Sequence, residues 1–391
     1  MTERPRLIHL TTTDISLELL LGPQLQRFVE EGYEVIGVSA PGPFVEAVEA
    51  RGVRHVPLRH ATRAMAPHHD LAAVGELYRL FRRLRPTIVH THNPKPGLYG
   101  RIAAHLARVP VIVNTVHGLY ALPEDRLAKR AVVYGLERVA ATCSDAELVQ
   151  NVEDIDVLRR LRIPESRIHL LGNGIDLERF RKRPDYAAAR ERLRAEWAID
   201  PDAVVVGAVG RLVLEKGYVE LLEAWRSVGA NHPDAQLVII GPEDTDKADA
   251  VPAALRAEAE GAGVRFLGHR HDVEDCYQAL DIYVLATYRE GFPRSAMEAA
   301  ASGLPIVATD IRGCRQVVDD GRTGMLVTVR DATALAAAID RLVSDPTLRA
   351  DMSTAAVAKA TADFDQERVI QLTLDTYERL LVQRGLPSVR R

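Results

Sequence analysis

The sequence predicts an α/β protein made of two Rossmann-like domains, each a parallel sheet covered by helices. Short apolar, β-branched runs alternate with longer amphipathic segments, the pattern of repeated βα units. The series of runs restarts near residue 204. The length, 391 residues, exceeds what one core usually organises.

Strands of the first domain are expected at 7–12 (LIHLTT), 34–40 (EVIGVSA), 87–92 (TIVHTH), 111–116 (VIVNTV) and 167–173 (RIHLLGN). Those of the second are expected at 204–210 (VVVGAVG), 236–242 (QLVIIGP), 264–269 (VRFLGH), 282–287 (IYVLAT) and 305–310 (PIVATD). Between them, Gly172, Asn173 and Gly174 end one sheet and a charged stretch leads to the next, which reads as a hinge beside an interdomain cleft. In open parallel sheets ligands bind beyond the carboxyl ends of the strands, so the loops there are where chemistry is expected. An amphipathic helix, 364–385, follows the second sheet.

Composition narrows the function. Hydrophobic residues make up 47% and charged residues 27%, and the net charge of -4 argues against a nucleic-acid binder. Cys143, Cys276 and Cys314 are too few and too scattered for a disulfide framework or a cysteine zinc site. The opening residues lack a signal-peptide pattern, and no apolar run reaches the ~18 residues of a spanning helix, so a cytoplasmic protein is expected.

Two motifs carry chemistry. In REGFPRSAMEAAASGLP (289–305), Glu290 and Glu298 flank the start of a helix expected from about Ser295 to Gly303. Its amino end, with Gly291 beside it, offers backbone N–H groups to an anion. A bland alternative is a capping box, Ser295 with Glu298. Glu290 has no such structural explanation. In GRLVLEKG (210–217), Arg211 and Lys216 sit between a strand and a helix, where paired cations suit a diphosphate. No P-loop or dinucleotide fingerprint is present.

These two motifs, with VATDIRGCRQVVDDGRTGMLV after the second and NGIDLERF at the hinge, resemble glycosyltransferase family 4, retaining nucleotide-sugar transferases of GT-B fold. The resemblance implies two Rossmann-like domains facing each other across a cleft, about 1–178 and 179–365, with the C-terminal helix, 366–391, returning to the first. It implies that Gly210, Arg211 and Lys216 hold the donor diphosphate and that Glu298 accepts from the ribose. Glu290 would meet the donor sugar, and the backbone of Gly291, Phe292, Pro293, Arg294 and Ser295 would line sugar and phosphates. Arg270 falls where the family packs the nucleobase, and His117, at the end of strand 111–116, where it faces the donor sugar. A UDP-sugar is the expected donor, and no cofactor is implied. The expected acceptor is a glycan, glycolipid or polyprenyl-linked molecule.

On the acceptor side, Asn93 and Lys95 in HTHNPKPGLYGR are candidates. The family's glycine-rich loop after the first strand is replaced by Thr11-Thr-Thr-Asp-Ile-Ser16, so Thr12, Thr13 and Asp14 are expected to face the acceptor instead. His90 and His92 share a strand face, which makes a metal site with His117 conceivable, but no carboxylate or cysteine accompanies them, and none is expected. Asp154-Ile-Asp156 and Asp244-Thr-Asp246 read as solvated, with the basic pair replacing a metal. Basic clusters at 78–86 and at Arg126, Lys129 and Arg130 allow peripheral contact with an anionic membrane, although a solvated helix face explains each as well.

Rival readings are a nucleotide-sugar epimerase of the same fold, a non-catalytic nucleotide-sugar-binding subunit, and a glycoside hydrolase using the two carboxylates. Against the last, Glu298 in a helix's first turn beside two cations is expected to become more acidic.

Overall fold

The structure is a computed structural model that describes residues 4–60, 67–92, 94–119, 121, 125–243 and 249–389. The chain divides into two compact units. One comprises residues up to Gly172 together with those from Glu367 onward, and the other comprises Asn173–Gln366.

The first unit is built on seven strands: β1 (Arg6–Thr13), β2 (Glu34–Ala40), β3 (Arg54–Pro57), β4 (Ile88–His92), β5 (Val111–Val116), β6 (Ala146–Val149) and β7 (Ile168–Leu170). They lie in the order β3-β2-β1-β4-β5-β6-β7, and every pairing is parallel. Side chains alternate across the pleat. Leu7, Ile88 and Val111 therefore pack on one face, against Phe28 and the C-terminal helix residues Ile370, Leu374 and Tyr377. Ile8, Leu10, Val89 and Ile112 pack on the other, against Leu77, Phe81 and Ala103. That C-terminal helix, Gln366–Gln383, returns to the first unit, as expected from the resemblance.

The second unit has six strands: β8 (Val205–Val209), β9 (Gln236–Ile240), β10 (Arg265–Phe266), β11 (Ile282–Leu285), β12 (Ile306–Thr309) and β13 (Gly324–Val327). Their order is β10-β9-β8-β11-β12-β13, again all parallel. Both sheets are thus doubly wound, with the strand order reversing between β1 and β4 in one and between β8 and β11 in the other. Such switch points leave a crevice at the carboxyl ends of the two central strands.

Three strands were not expected. β3 is a short edge strand closed by Pro57, where a missing N–H costs no ladder bond. β13 follows a Gly-Arg-Thr turn and reads as loop. β6 carries Glu147 at its centre, which argues against a buried strand, yet Glu147 is fully buried. Its carboxylate is satisfied by Arg101 Nη1 at 2.7 Å and Asn114 Nδ2 at 2.8 Å. Arg101, 1% exposed, also reaches Glu137 at 2.9 Å, so the charges compensate inside the fold. Among the described residues no helix is long and apolar enough to cross a membrane.

Candidate functional site

The switch point of the second sheet places the loops after β8 and β11 side by side. After β8 the chain runs through Gly210 and Arg211 to a 3₁₀ turn, Leu214–Lys216, and then into the helix Tyr218–Asn231. Gly217 joins turn to helix at φ +71°, and a Cβ there would lie 1.9 Å from the carbonyl oxygen of Ala286. Only glycine permits that approach. The contact seats the first loop on the end of β11, and the Tyr288 N–H donates to the Glu215 carbonyl at 2.9 Å. Lys216 Nζ consequently donates to the Glu290 carboxylate. Both side chains are largely shielded, 24% and 17% exposed. Arg211, at the head of the loop, is exposed.

The helix after the second loop runs from Arg294 to Ala301, one residue earlier than expected at its start. Its N-cap is Pro293, with no side-chain cap, so the capping box of Ser295 and Glu298 does not form. Glu298 turns instead to the Tyr277 hydroxyl, 3.0 Å away, which also lies 3.1 Å from the Ser295 carbonyl. Arg294 Nε is 3.8 Å from Glu298. Burial pushes the Glu298 carboxyl above the usual range, more strongly than Arg294 and the Tyr277 hydroxyl pull it down. This corrects the expectation of a more acidic Glu298: desolvation outweighs the nearby cation.

The rest of the loop is held from behind. Asn173 Nδ2 lies 3.5 Å from the Phe292 carbonyl, and the Phe292 ring meets Phe364 edge-on at 6.0 Å. Pro293 is buried, and Gly291 and Ser295 are half-buried. Arg270 is engaged within the fold, its Nε and Nη2 each 2.8 Å from Asp272 and its Nη1 2.5 Å from Glu196. A base meeting Arg270 would use the guanidinium face or displace a carboxylate.

In the first unit His117 caps the end of β5. Its Nε2 lies 3.1 Å from His92 Nδ1 and its Nδ1 3.2 Å from Gln150 Oε1. Burial lowers its pKa to about 4, so the ring is neutral near neutrality. A cavity of about 180 Å³ beside it is lined in part by Gly97, Leu98, Asn114 and Leu136. Among the described residues His9, His90 and His92 form a cluster in which one ring nitrogen of each lies within 4.8 Å of the others. The conceivable but unexpected trio named from the sequence included His117 and omitted His9, which faces His90 in register across β1 and β4.

Of the acceptor-side candidates, Asn93 lies outside the described residues, and Lys95 is half-buried at the start of the helix Pro94–Leu106. β1 extends through Thr12 and Thr13. Asp14 is 4% exposed and accepts the Phe44 N–H at 2.7 Å, so its carboxylate pins the loop after β2. Asp154, expected to be solvated, is fully buried in the first turn of the helix Val152–Arg160, whereas Asp156 pairs with Arg159 in solvent. Asp244 and Asp246 lie outside the described residues.

Sequence reasoning missed Tyr277, Asn173 and His9. A buried tyrosine hydroxyl needs a partner, and that need was the one signal for Tyr277.

The family model "Glycosyltransferase Family 4" matches residues 24–179 and "Glycosyl transferases group 1" matches residues 189–359. The chain is 28% identical over 350 residues to the capsular polysaccharide biosynthesis glycosyltransferase CapM of Staphylococcus aureus, covering 88% of this chain and 89% of that one. It is 30% identical over 283 residues to the UDP-Gal:alpha-D-GlcNAc-diphosphoundecaprenol alpha-1,3-galactosyltransferase of Escherichia coli, covering 71% and 72%. Among solved structures, Anabaena HepE in complex with UDP superposes with a TM-score of 0.80 at 19% identity, over 96% of this chain and 100% of that one, a likeness of fold. With both of its units matched and the motif-bearing loops at the second switch point, the chain belongs to glycosyltransferase family 4 and is a glycosyltransferase of GT-B type.

Proposed function

We propose that the chain moves a sugar from a UDP-sugar to an acceptor hydroxyl with retained anomeric configuration, in the assembly of a cell-surface polysaccharide or glycolipid. The observation that carries this reading is the meeting of Lys216 with Glu290 beside a helix whose amino end has no side-chain cap. A lone carboxylate would repel a diphosphate. One neutralised by lysine can stay beside it, and when phosphate oxygens take the ammonium, Glu290 is released to sugar hydroxyls. Arg211 adds a second cation, and the N–H groups of Gly291, Phe292 and Arg294 a preorganised dipole. Glu298, holding the Tyr277 hydroxyl on one oxygen, keeps the other for the ribose. His117 is the first unit's candidate for meeting the donor sugar.

In the reaction the bond between the sugar's anomeric carbon and the diphosphate breaks as the acceptor oxygen bonds to the same face of that carbon. The acceptor proton passes to the leaving phosphate oxygen, and Lys216 with Arg211 stabilises the charge that grows there, in place of a metal ion. The E. coli relative's name supports a UDP-sugar donor and a lipid-linked acceptor, and HepE supports UDP. Work at the cytoplasmic face of a membrane, in peripheral contact with it, fits such an acceptor.

Screening nucleotide-sugars for thermal stabilisation and slow donor hydrolysis tests the proposal without an acceptor. One or more UDP-sugars should stabilise the chain and be hydrolysed. Stabilisation by none of them, or conversion of the donor to its epimer seen by proton NMR, would overturn it.

A further inference from the structure

A file of hydrogen bonds runs through the first sheet and ends at His117. Thr115 Oγ1 lies 2.7 Å from His90 Nε2, and His90 Nδ1 lies 2.5 Å from the Tyr377 hydroxyl. That hydroxyl is 3.4 Å from His9 Nε2, and His9 Nδ1 is 2.9 Å from His92 Nε2. His92 Nδ1 then meets His117 Nε2, and His117 Nδ1 meets Gln150 Oε1. The groups come from β1, β4, β5, the end of β6 and the C-terminal helix.

A neutral imidazole has one N–H and one lone pair, so bonding both nitrogens couples the two bonds in direction. Burial lowers the proton affinity of all four rings and keeps them neutral. At the far end the Gln150 carbonyl can only accept, which puts the His117 proton on Nδ1 and makes Nε2 accept from His92. The same constraint passes to His9, to Tyr377, to His90 and finally to Thr115, which donates. Every ring in the file is then the Nδ1–H form, the less favoured tautomer of free histidine in water. The direction follows from the Gln150 amide oxygen facing His117 Nδ1.

We infer that Tyr377, acting through His9 and His92, is a positioning residue for His117: the file fixes the tautomer and the plane of that ring. The inference rests on the proposed placement of His117 at the donor sugar. With Nε2 occupied from within the sheet, Nδ1–H is the edge His117 can offer a sugar oxygen, in exchange for Gln150. The C-terminal helix thereby acts on the site as well as on the core. A metal ion on His9, His90 and His92 is the competing use of these rings. Yet each of their ring nitrogens already has a partner, and the group holds no carboxylate or cysteine to offset a dication in a buried place.

The test is proton–nitrogen correlation NMR of isotope-labelled histidine rings in the full chain, without ligand. His9, His90, His92 and His117 should share the Nδ1–H tautomer. Tyr377→Phe keeps the ring contacts with Phe28 and Tyr33, at 5.6 and 6.1 Å, and removes only the hydroxyl. It should shift the ring nitrogens of His92 and His117, and lower kcat about tenfold with little change in KM for the nucleotide-sugar. Mixed tautomers among the four rings of the native chain would overturn the inference, and so would His117 resonances or kcat unchanged in a folded Tyr377→Phe. Stoichiometric zinc on these rings would also overturn it. If the variant does not fold, the native tautomers decide. His117→Ala turnover tests the role at the donor sugar separately, since the tautomer measurement uses no substrate.

Discussion

Lys216 and Glu290 hold opposite charges in a partly shielded space, and their proposed roles differ because their ligands differ. The ammonium is a compact charge that a diphosphate can draw away, whereas the carboxylate can only accept. Lys216→Ala should therefore lower transferase turnover by about 10²–10³-fold, the scale of losing one preorganised group at a developing anion. The melting temperature checks that the variant keeps its fold. Turnover near that of the native chain, measured with saturating donor, would refute the diphosphate role. Glu298 behaves differently from Glu290. Its raised proton affinity comes from burial, and Tyr277, itself held well above its ordinary pKa, remains a hydroxyl that donates to it.

At the scale of elements, a buried carboxylate on an interior strand is tolerable only while Arg101 and Asn114 satisfy it. Glu147→Ala leaves the Arg101 guanidinium short of a partner, and should destabilise the chain by about 3–5 kcal/mol in urea melts. A loss below about 1 kcal/mol would show that the network contributes little. The same carboxylate explains why β6 was illegible in the sequence: a strand is recognised by its apolar run, and the groups that compensate Glu147 lie far away along the chain. Strands such as β5, with its aliphatic start Val-Ile-Val, and β9, with Leu-Val-Ile-Ile, are buried on both faces and were legible for the converse reason. In the site, the residues within one motif were legible, because Lys216, Glu290 and Glu298 each follow a recognisable strand. Tyr277, Asn173 and His9 were not, since each matters through a contact that sequence spacing does not express. The contacts of Arg270 with Glu196 and of Asp14 with Phe44 were illegible for the same reason: those partners come from other elements.

Across the whole molecule, the histidines with lowered proton affinity, His9, His55, His90, His92, His117 and His169, all lie in the first unit. His9 falls to about 3 and His117 to about 4, from 6.5. Below 6.5 the unfolded chain binds protons that these folded rings refuse, so stability is full above that pH and is lost as pH falls toward 4 and then 3. Both tryptophans, Trp197 and Trp225, belong to the second unit. Urea melts at about pH 7 and about pH 5 should therefore show the circular dichroism transition moving to lower urea, ahead of the tryptophan transition. Coincident transitions with unchanged midpoints would contradict this linkage.

The proposed chemistry depends on where the nucleotide sits. A crystal structure of the chain with UDP tests that most directly. The diphosphate should lie within hydrogen-bond reach of Lys216 Nζ and the N–H groups of Gly291, Phe292 and Arg294, with the ribose hydroxyls on Glu298. A nucleotide bound away from the β8–β11 switch point, with the Lys216–Glu290 pair untouched, would contradict it.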